Sequence, residues 1–192
     1  MKKILIINGH PNPNSLCFSL AKAYKDGAIE ANAMVKEITV TTLSFNPNLA
    51  YGYQKRTTLE PDLEEAWEKI LWAQHIVWIH PVWWGGVPAV LKGFIDRLFL
   101  PGRAFQYIEN SYQWEKLLKG KTAHIITTLD QPGWYYYLFY GKPSVNQLKK
   151  STLEFCGITP VKVTYIGIVK NSTQEKRSKW IAQIKKLGQQ LK

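Results

Sequence analysis

Pro81-Val82-Trp83-Trp84-Gly85-Gly86-Val87-Pro88 is the stretch that decides the fold, because two tryptophans and two glycines stand between segments of different periodicity. Before it, His75-Ile76-Val77-Trp78-Ile79 is a short apolar run of β-rich composition. After it, apolar residues recur at Val87, Val90, Leu91, Phe94, Ile95 and Leu98, which is helical spacing up to Phe99. The segment is therefore a strand-to-helix loop, and in open α/β sheets such loops lie at the carboxyl ends of the strands, where ligands bind. Glycines let backbone approach a ligand, prolines stiffen the flanks, and flat rings pack on a flat heterocycle. From this segment alone, Trp83 and Trp84 read equally well as core or interface aromatics.

Working outward, the pattern gives strands at 3–7, 34–40, 75–80, 121–127 and 161–168, and helices at about 16–32, 62–73, 87–99, 144–156 and 174–190. Such alternation predicts an α/β fold: a doubly wound five-stranded parallel sheet of flavodoxin-like order 2-1-3-4-5, forming a single domain over 1–192. Three connections, 41–61, 100–119 and 128–143, exceed the usual loop length of about two to six residues. The last carries Trp134-Tyr135-Tyr136-Tyr137-Leu138-Phe139-Tyr140, too aromatic for a plain solvent loop.

Composition narrows the classes. With 45% hydrophobic and 20% charged residues, and no apolar run near the roughly 18 residues of a membrane span, the expectation is a globular protein without membrane insertion. The apolar start ends at Asn8-Gly9-His10, too early for a signal sequence, and reads as a first strand. Cys17 and Cys156 are the two cysteines, with no C-x-x-C pair or histidine cluster, so no disulfide framework or metal site is expected and a cytoplasmic location is. The formal charge of +11 suits phosphorylated cofactors, acidic membrane faces or nucleic acid. Its densest part, 170–192, reads as a terminal amphipathic helix with a solvated basic face. In the absence of a recognition motif, no nucleic-acid partner is expected.

The first strand runs into Asn8-Gly9-His10-Pro11-Asn12-Pro13-Asn14-Ser15, with Ser15 or Asn14 as a natural N-cap. Free N–H groups at Leu16, Cys17 and Phe18 would face an anion there, with the Ser15 hydroxyl beside them and His10 as a cationic or donor partner. Neither G-x-G-x-x-G nor G-x-x-x-x-G-K-[ST] is present, which disfavours a dinucleotide Rossmann site and a P-loop. Cys17 at a helix N-terminus is a position where a thiol pKa falls, but no base lies near it in sequence.

Taken together, Gly9-His10-Pro11 with Ser15, Pro81 to Pro88 running into Ala89-Val90-Leu91-Lys92-Gly93-Phe94-Ile95-Asp96-Arg97, Ile125-Ile126-Thr127-Thr128, and Phe155-Cys156-Gly157 resemble the NAD(P)H:quinone oxidoreductase family of flavodoxin-like flavoproteins. The P-x-x-W-x-G-x-P-A-x-L-K-G block is the specific part. Phe105-Gln106-Tyr107-Ile108-Glu109-Asn110 and the length are similar also to flavin-dependent azoreductases. The resemblance implies a bound flavin, FAD or FMN, with phosphates near His10, Ser15, Leu16 and Cys17. Its ring would lie along Pro81, Val82, Trp83, Trp84 and Gly85, with Thr127 and Thr128 at the polar edge.

The chain departs from the family in three places: Cys17 where a polar residue is common, Leu129-Asp130 where Gly-Gly is common, and Gly141 where some members carry histidine. The family's substrate-side tyrosine falls on Tyr135, with Tyr136 and Tyr137 as neighbouring registers. What the resemblance implies is hydride transfer from NAD(P)H through the flavin to a small aromatic electron acceptor such as a quinone, by ping-pong kinetics in a homodimer. A one-electron flavodoxin-type carrier and a regulatory flavoprotein subunit are the competing readings. The basic charge speaks against the first of these.

Overall fold

The computed structural model describes residues 1–55 and 57–191. Its strands are β1 (Lys3–Asn8), β2 (Met34–Thr39), β3 (His75–Pro81), β4 (Phe105–Tyr107), β5 (Trp114–Lys116), β6 (Thr122–Leu129) and β7 (Val161–Gly167). The helices are α1 (Leu16–Glu30), α2 (Pro61–Trp72), α3 (Ala89–Leu98), α4 (Gly133–Leu138), α5 (Pro143–Leu148) and α6 (Gln174–Gln189). Five strands pair in parallel in the order β2-β1-β3-β6-β7, which is 2-1-3-4-5 among the main strands and the flavodoxin-like arrangement expected. The short β4 and β5 form a separate antiparallel hairpin inside the 100–119 connection.

Central strands in such a sheet are buried on both faces, which is why β1 and β3 carry the unbroken apolar runs Ile4 to Ile7 and Ile76 to Ile79 rather than alternating. Ile4, Ile6, Val77, Ile79, Ile126 and Ile166 meet α1 and α6 on one face. Leu5, Ile7, Ile76, Trp78, Ala123 and Ile125 meet α2, α3 and the segment after α5 on the other. Each fully buried side chain of this size stabilises the fold by about 1.5–3 kcal/mol. α1 and α6 cross at glycines: a Cβ on Gly27 would overlap the Lys185 carbonyl, and one on Gly188 the Tyr24 carbonyl.

The helix expected at 144–156 is divided. α5 ends at Leu148 and gives way to a π turn, Lys149–Glu154, in which the Thr152 hydroxyl donates to the carbonyl of Gln147 five residues back. The helix expected from residue 87 starts at Ala89, since a tight turn occupies 83–86 and Pro88 is its N-cap. The 41–61 connection is held down by Arg97, which is 1% exposed. Its guanidinium donates to both Glu60 carboxylate oxygens, at 3.1 and 2.8 Å, and to the carbonyls of Thr58 and Asn46. Among the described residues, no helix is long and apolar enough to cross a membrane.

Candidate flavin site

Three loops meet where β1, β3 and β6 end. The register pairs Asn8 with Ile79 and Pro81 with Thr128, so the strands stop at nearly the same level. Two backbone bonds tie the exits together: Gly9 N–H donates to the Ile79 carbonyl at 2.9 Å, and Val82 N–H to the Thr128 carbonyl at 2.8 Å.

In the first loop, Asn8 continues the alternation of Ile4 and Ile6 and so faces α1. Its Oδ1 accepts the His10 N–H at 3.0 Å, which leaves Nδ2 buried with no partner among the described residues. Ser15 caps α1 in extended conformation, yet its side chain makes no capping bond and its Oγ is likewise buried without a partner. An orphaned buried polar atom costs about 1–3 kcal/mol, so one at the end of β1 and one at the start of α1, the two ends of a single loop, suit a group that brings hydrogen-bond partners. Among the described residues, the first-turn amides of Leu16 and Cys17 have no carbonyl partner, whereas Phe18 N–H is already bonded to the Ser15 carbonyl at 3.1 Å. Of the three amides expected, two therefore lack a carbonyl partner, and that of Cys17 lies against its own sulfur. Sequence reasoning named Ser15 but missed Asn8, whose signal was a polar residue closing an apolar strand just before the turn.

His10 acts as a neutral donor rather than a cation. Burial lowers its pKa, and Nδ1 accepts the Asn12 N–H at 3.0 Å, so the ring proton sits on Nε2. Its ring meets Trp83 edge-on at 5.5 Å, linking the first loop to the second. The Cys17 thiol, far from being activated, is pushed up to about 11 by burial, a cost that outweighs its hydrogen bond to Thr128. At 1% exposure it is a core residue, and the lowered pKa expected at a helix start does not occur.

Trp83 and Gly86 exchange both backbone hydrogen bonds, at 3.0 and 2.9 Å, and close a two-residue turn on Trp84 and Gly85. Both central residues take positive φ, +50° and +76°, as a type I′ turn demands. The glycine is at home there; a tryptophan in the left-handed region costs about 1–2 kcal/mol and persists where function holds it. The turn leaves the Trp84 ring fully exposed and the Trp84 and Gly85 amides without a carbonyl partner among the described residues, while the Gly86 amide is used in the turn itself.

Thr127 and Thr128 are adjacent in an extended strand and so point to opposite faces. Thr127 is buried and its hydroxyl donates to the His80 carbonyl at 3.1 Å; the Thr128 hydroxyl lies 3.5 Å from the Cys17 sulfur. The pair braces β6 against β3 and α1. Beyond it, Leu129 is buried with Tyr136 and Val145, and the Asp130 carboxylate accepts the Lys170 N–H at 2.8 Å, so the residues standing where the family has Gly-Gly anchor the loop after β7.

The aromatic run forms α4 and its exit. Tyr136 is fully buried, and its hydroxyl bonds the Ser144 hydroxyl at 2.8 Å and the Ser144 N–H at 3.1 Å. Tyr135 is 36% exposed and stacks on Phe139 at 4.8 Å, while Lys142 Nζ caps the Tyr137 ring at 4.0 Å. A Cβ on Gly85 would touch Pro143 at 3.3 Å, so the segment after this run abuts the tryptophan turn.

Residues 2–187 match the family described as having the flavodoxin-like fold. The human ribosyldihydronicotinamide dehydrogenase [quinone] is 30% identical over 81% of this chain and 77% of its own length. An FMN-dependent NADH:quinone oxidoreductase of Listeria innocua is 27% identical over 91% of this chain and 92% of its own. Among solved structures, Smu.1420 from Streptococcus mutans superposes with a TM-score of 0.83 at 31% identity, covering 98% of this chain and 99% of that one. With the motif loops converging on one sheet edge and the likeness extending nearly end to end, the chain belongs to the NAD(P)H:quinone oxidoreductase family of flavodoxin-like proteins.

Proposed function

We propose that this chain is a flavin-dependent NAD(P)H oxidoreductase that passes hydride from NADH or NADPH to quinones or similar electron-poor aromatics, working as a homodimer of single-domain subunits. The observation that carries the reading is two buried polar atoms without a partner among the described residues, Asn8 Nδ2 at the end of β1 and Ser15 Oγ at the start of α1. Together with the first-turn amides of Leu16 and Cys17 and the Nε2–H of His10, they fit a flavin phosphate.

When bound, a flavin supplies the hydride chemistry, and the two substrates exchange in turn at one face. Pro81, Val82, Trp83, Trp84 and Gly85 would line its ring. The Trp84 and Gly85 amides, pinned in a tight turn, would hold negative charge near the ring without reorganising. Thr127 and Thr128 contribute by fixing the loops. Tyr135 is the proposed substrate-side donor, because the Tyr136 hydroxyl is committed to Ser144 and Tyr137 lies under Lys142. The exposed rings of Trp84, Trp134 and Phe139 suit coverage by a second subunit, which would exclude water from the ring.

The FMN-dependent NADH:quinone oxidoreductase relative supports both the nicotinamide donor and a flavin, FMN or FAD. The test is steady-state oxidation of NADH and NADPH by flavin-loaded protein with benzoquinone varied. Parallel double-reciprocal lines are expected. Intersecting lines overturn the exchange of substrates at one face, and quinone-independent rates overturn the assignment.

A further inference from the structure

At one side β7 ends the sheet, and a groove of about 560 Å³ runs along and over its open side. The Ala123 N–H bonds the Pro160 carbonyl, so in a parallel ladder the backbone groups of Lys162 and Thr164 turn inward to β6, and those of Val163 and Tyr165 turn outward with no strand partner among the described residues. Four lysines, Lys142, Lys149, Lys150 and Lys162, line this groove. Glu154, 3.8 Å from Lys149, is the one carboxylate that pairs with any of them among the described residues. Two of the four come from the π turn, a distortion that is rare in helices and concentrates at functional positions.

We propose that this edge receives an extended, acidic segment of a partner protein as a sixth strand. An open strand edge offers main-chain hydrogen bonds to any extended chain, and the flanking side chains choose among candidates. Edge lysines repel a second copy of the same edge, which is how native sheets avoid self-pairing. The same charges attract a segment whose outward residues are aspartate or glutamate, so the groove discriminates by sign. The inference rests on the strand edge and its lysines and not on the proposed hydride chemistry.

The test uses the full chain and a labelled peptide of about ten residues alternating glutamate with valine and threonine. Expected are saturable binding weakened by salt, a loss of roughly tenfold or more in the K149E/K150E double variant, and slowed hydrogen exchange at the Val163 and Tyr165 amides. A peptide of the same length and charge, with two central uncharged residues replaced by proline, should bind far more weakly, because proline cannot complete the ladder. Equal binding of the proline peptide, or binding with unchanged exchange at both amides, would show diffuse attraction of polyanions and overturn the proposal. So would no saturable binding, or self-association of the protein that protects the same amides.

Discussion

Replacing Ser15 by alanine has opposite expected effects on the empty protein and on its ligand affinity. An N-cap serine ordinarily accepts a first-turn amide, and its loss costs about 1 kcal/mol. Here the side chain makes no such bond, and its oxygen is buried and unpartnered. Ser15→Ala therefore removes an unsatisfied polar atom and should stabilise the flavin-free protein by on the order of 1 kcal/mol. For a chain of this size that raises Tm by about 2–4 °C. With flavin bound, the same hydroxyl donates to a charged phosphate, a bond worth about 1.5–3 kcal/mol, so Kd should rise roughly 10- to 150-fold. Thermal melts of flavin-stripped protein and a fluorescence titration with FMN and FAD read both quantities. A lower Tm with unchanged affinity would refute the reasoning and make Ser15 an ordinary structural residue. Asn8→Asp keeps the acceptor for His10 N–H but replaces the orphan donor by an anion, and it should weaken flavin binding more strongly than Ser15→Ala.

Four further outcomes follow from the same geometry. Full burial pushes His80 down to about 4 from the ordinary 6.5, so the unfolded chain binds the extra proton first as pH falls. On the order of 3 kcal/mol of stability, complete above pH 6.5, should then be lost by pH 4, and denaturant melts of His80→Gln should show a correspondingly flatter profile over that window. Gly27→Ala and Gly188→Ala each drive a methyl into a facing backbone carbonyl, so either should lower stability by about 1–3 kcal/mol in urea melts, while alanine at the open Gly120 position costs only its backbone strain. Trp84→Asn suits a left-handed turn position better and should raise Tm while reducing quinone turnover. Tyr136→Phe leaves Ser144 unsatisfied and should cost about 1–3 kcal/mol of stability, whereas Tyr135→Phe should leave Tm within about 1 °C and lower kcat/KM for quinone.

The fold was legible because its parallel core strands are apolar on both faces and separated by helices of regular period, so β1, β3 and β6 declare themselves and fix which loops share an edge. The β4–β5 hairpin was not legible: three-residue strands carry too little alternation to stand out from the surrounding turn residues. The π turn hid for a related reason, since one widened turn barely disturbs a helical pattern and Thr152 reaching back to Gln147 leaves no compositional trace. At the site, the positions of His10, Ser15 and the Trp83–Trp84 loop could be read, but their states could not. Whether Cys17 is activated depends on burial against β6, and whether Ser15 caps its helix depends on where one rotamer points; both are tertiary facts. The diverging hydroxyls of Thr127 and Thr128 follow from strand geometry alone and were available to sequence reasoning.

The central claim is most directly tested by an anaerobic titration of the flavin-loaded protein. The account predicts about one flavin retained per chain at the three-loop site, bleaching of its visible absorbance by NADH or NADPH, recovery on addition of benzoquinone, and loss of retention in the Asn8→Asp, Ser15→Ala double variant. Failure to retain flavin, or a retained flavin whose spectrum neither nicotinamide changes, would contradict it.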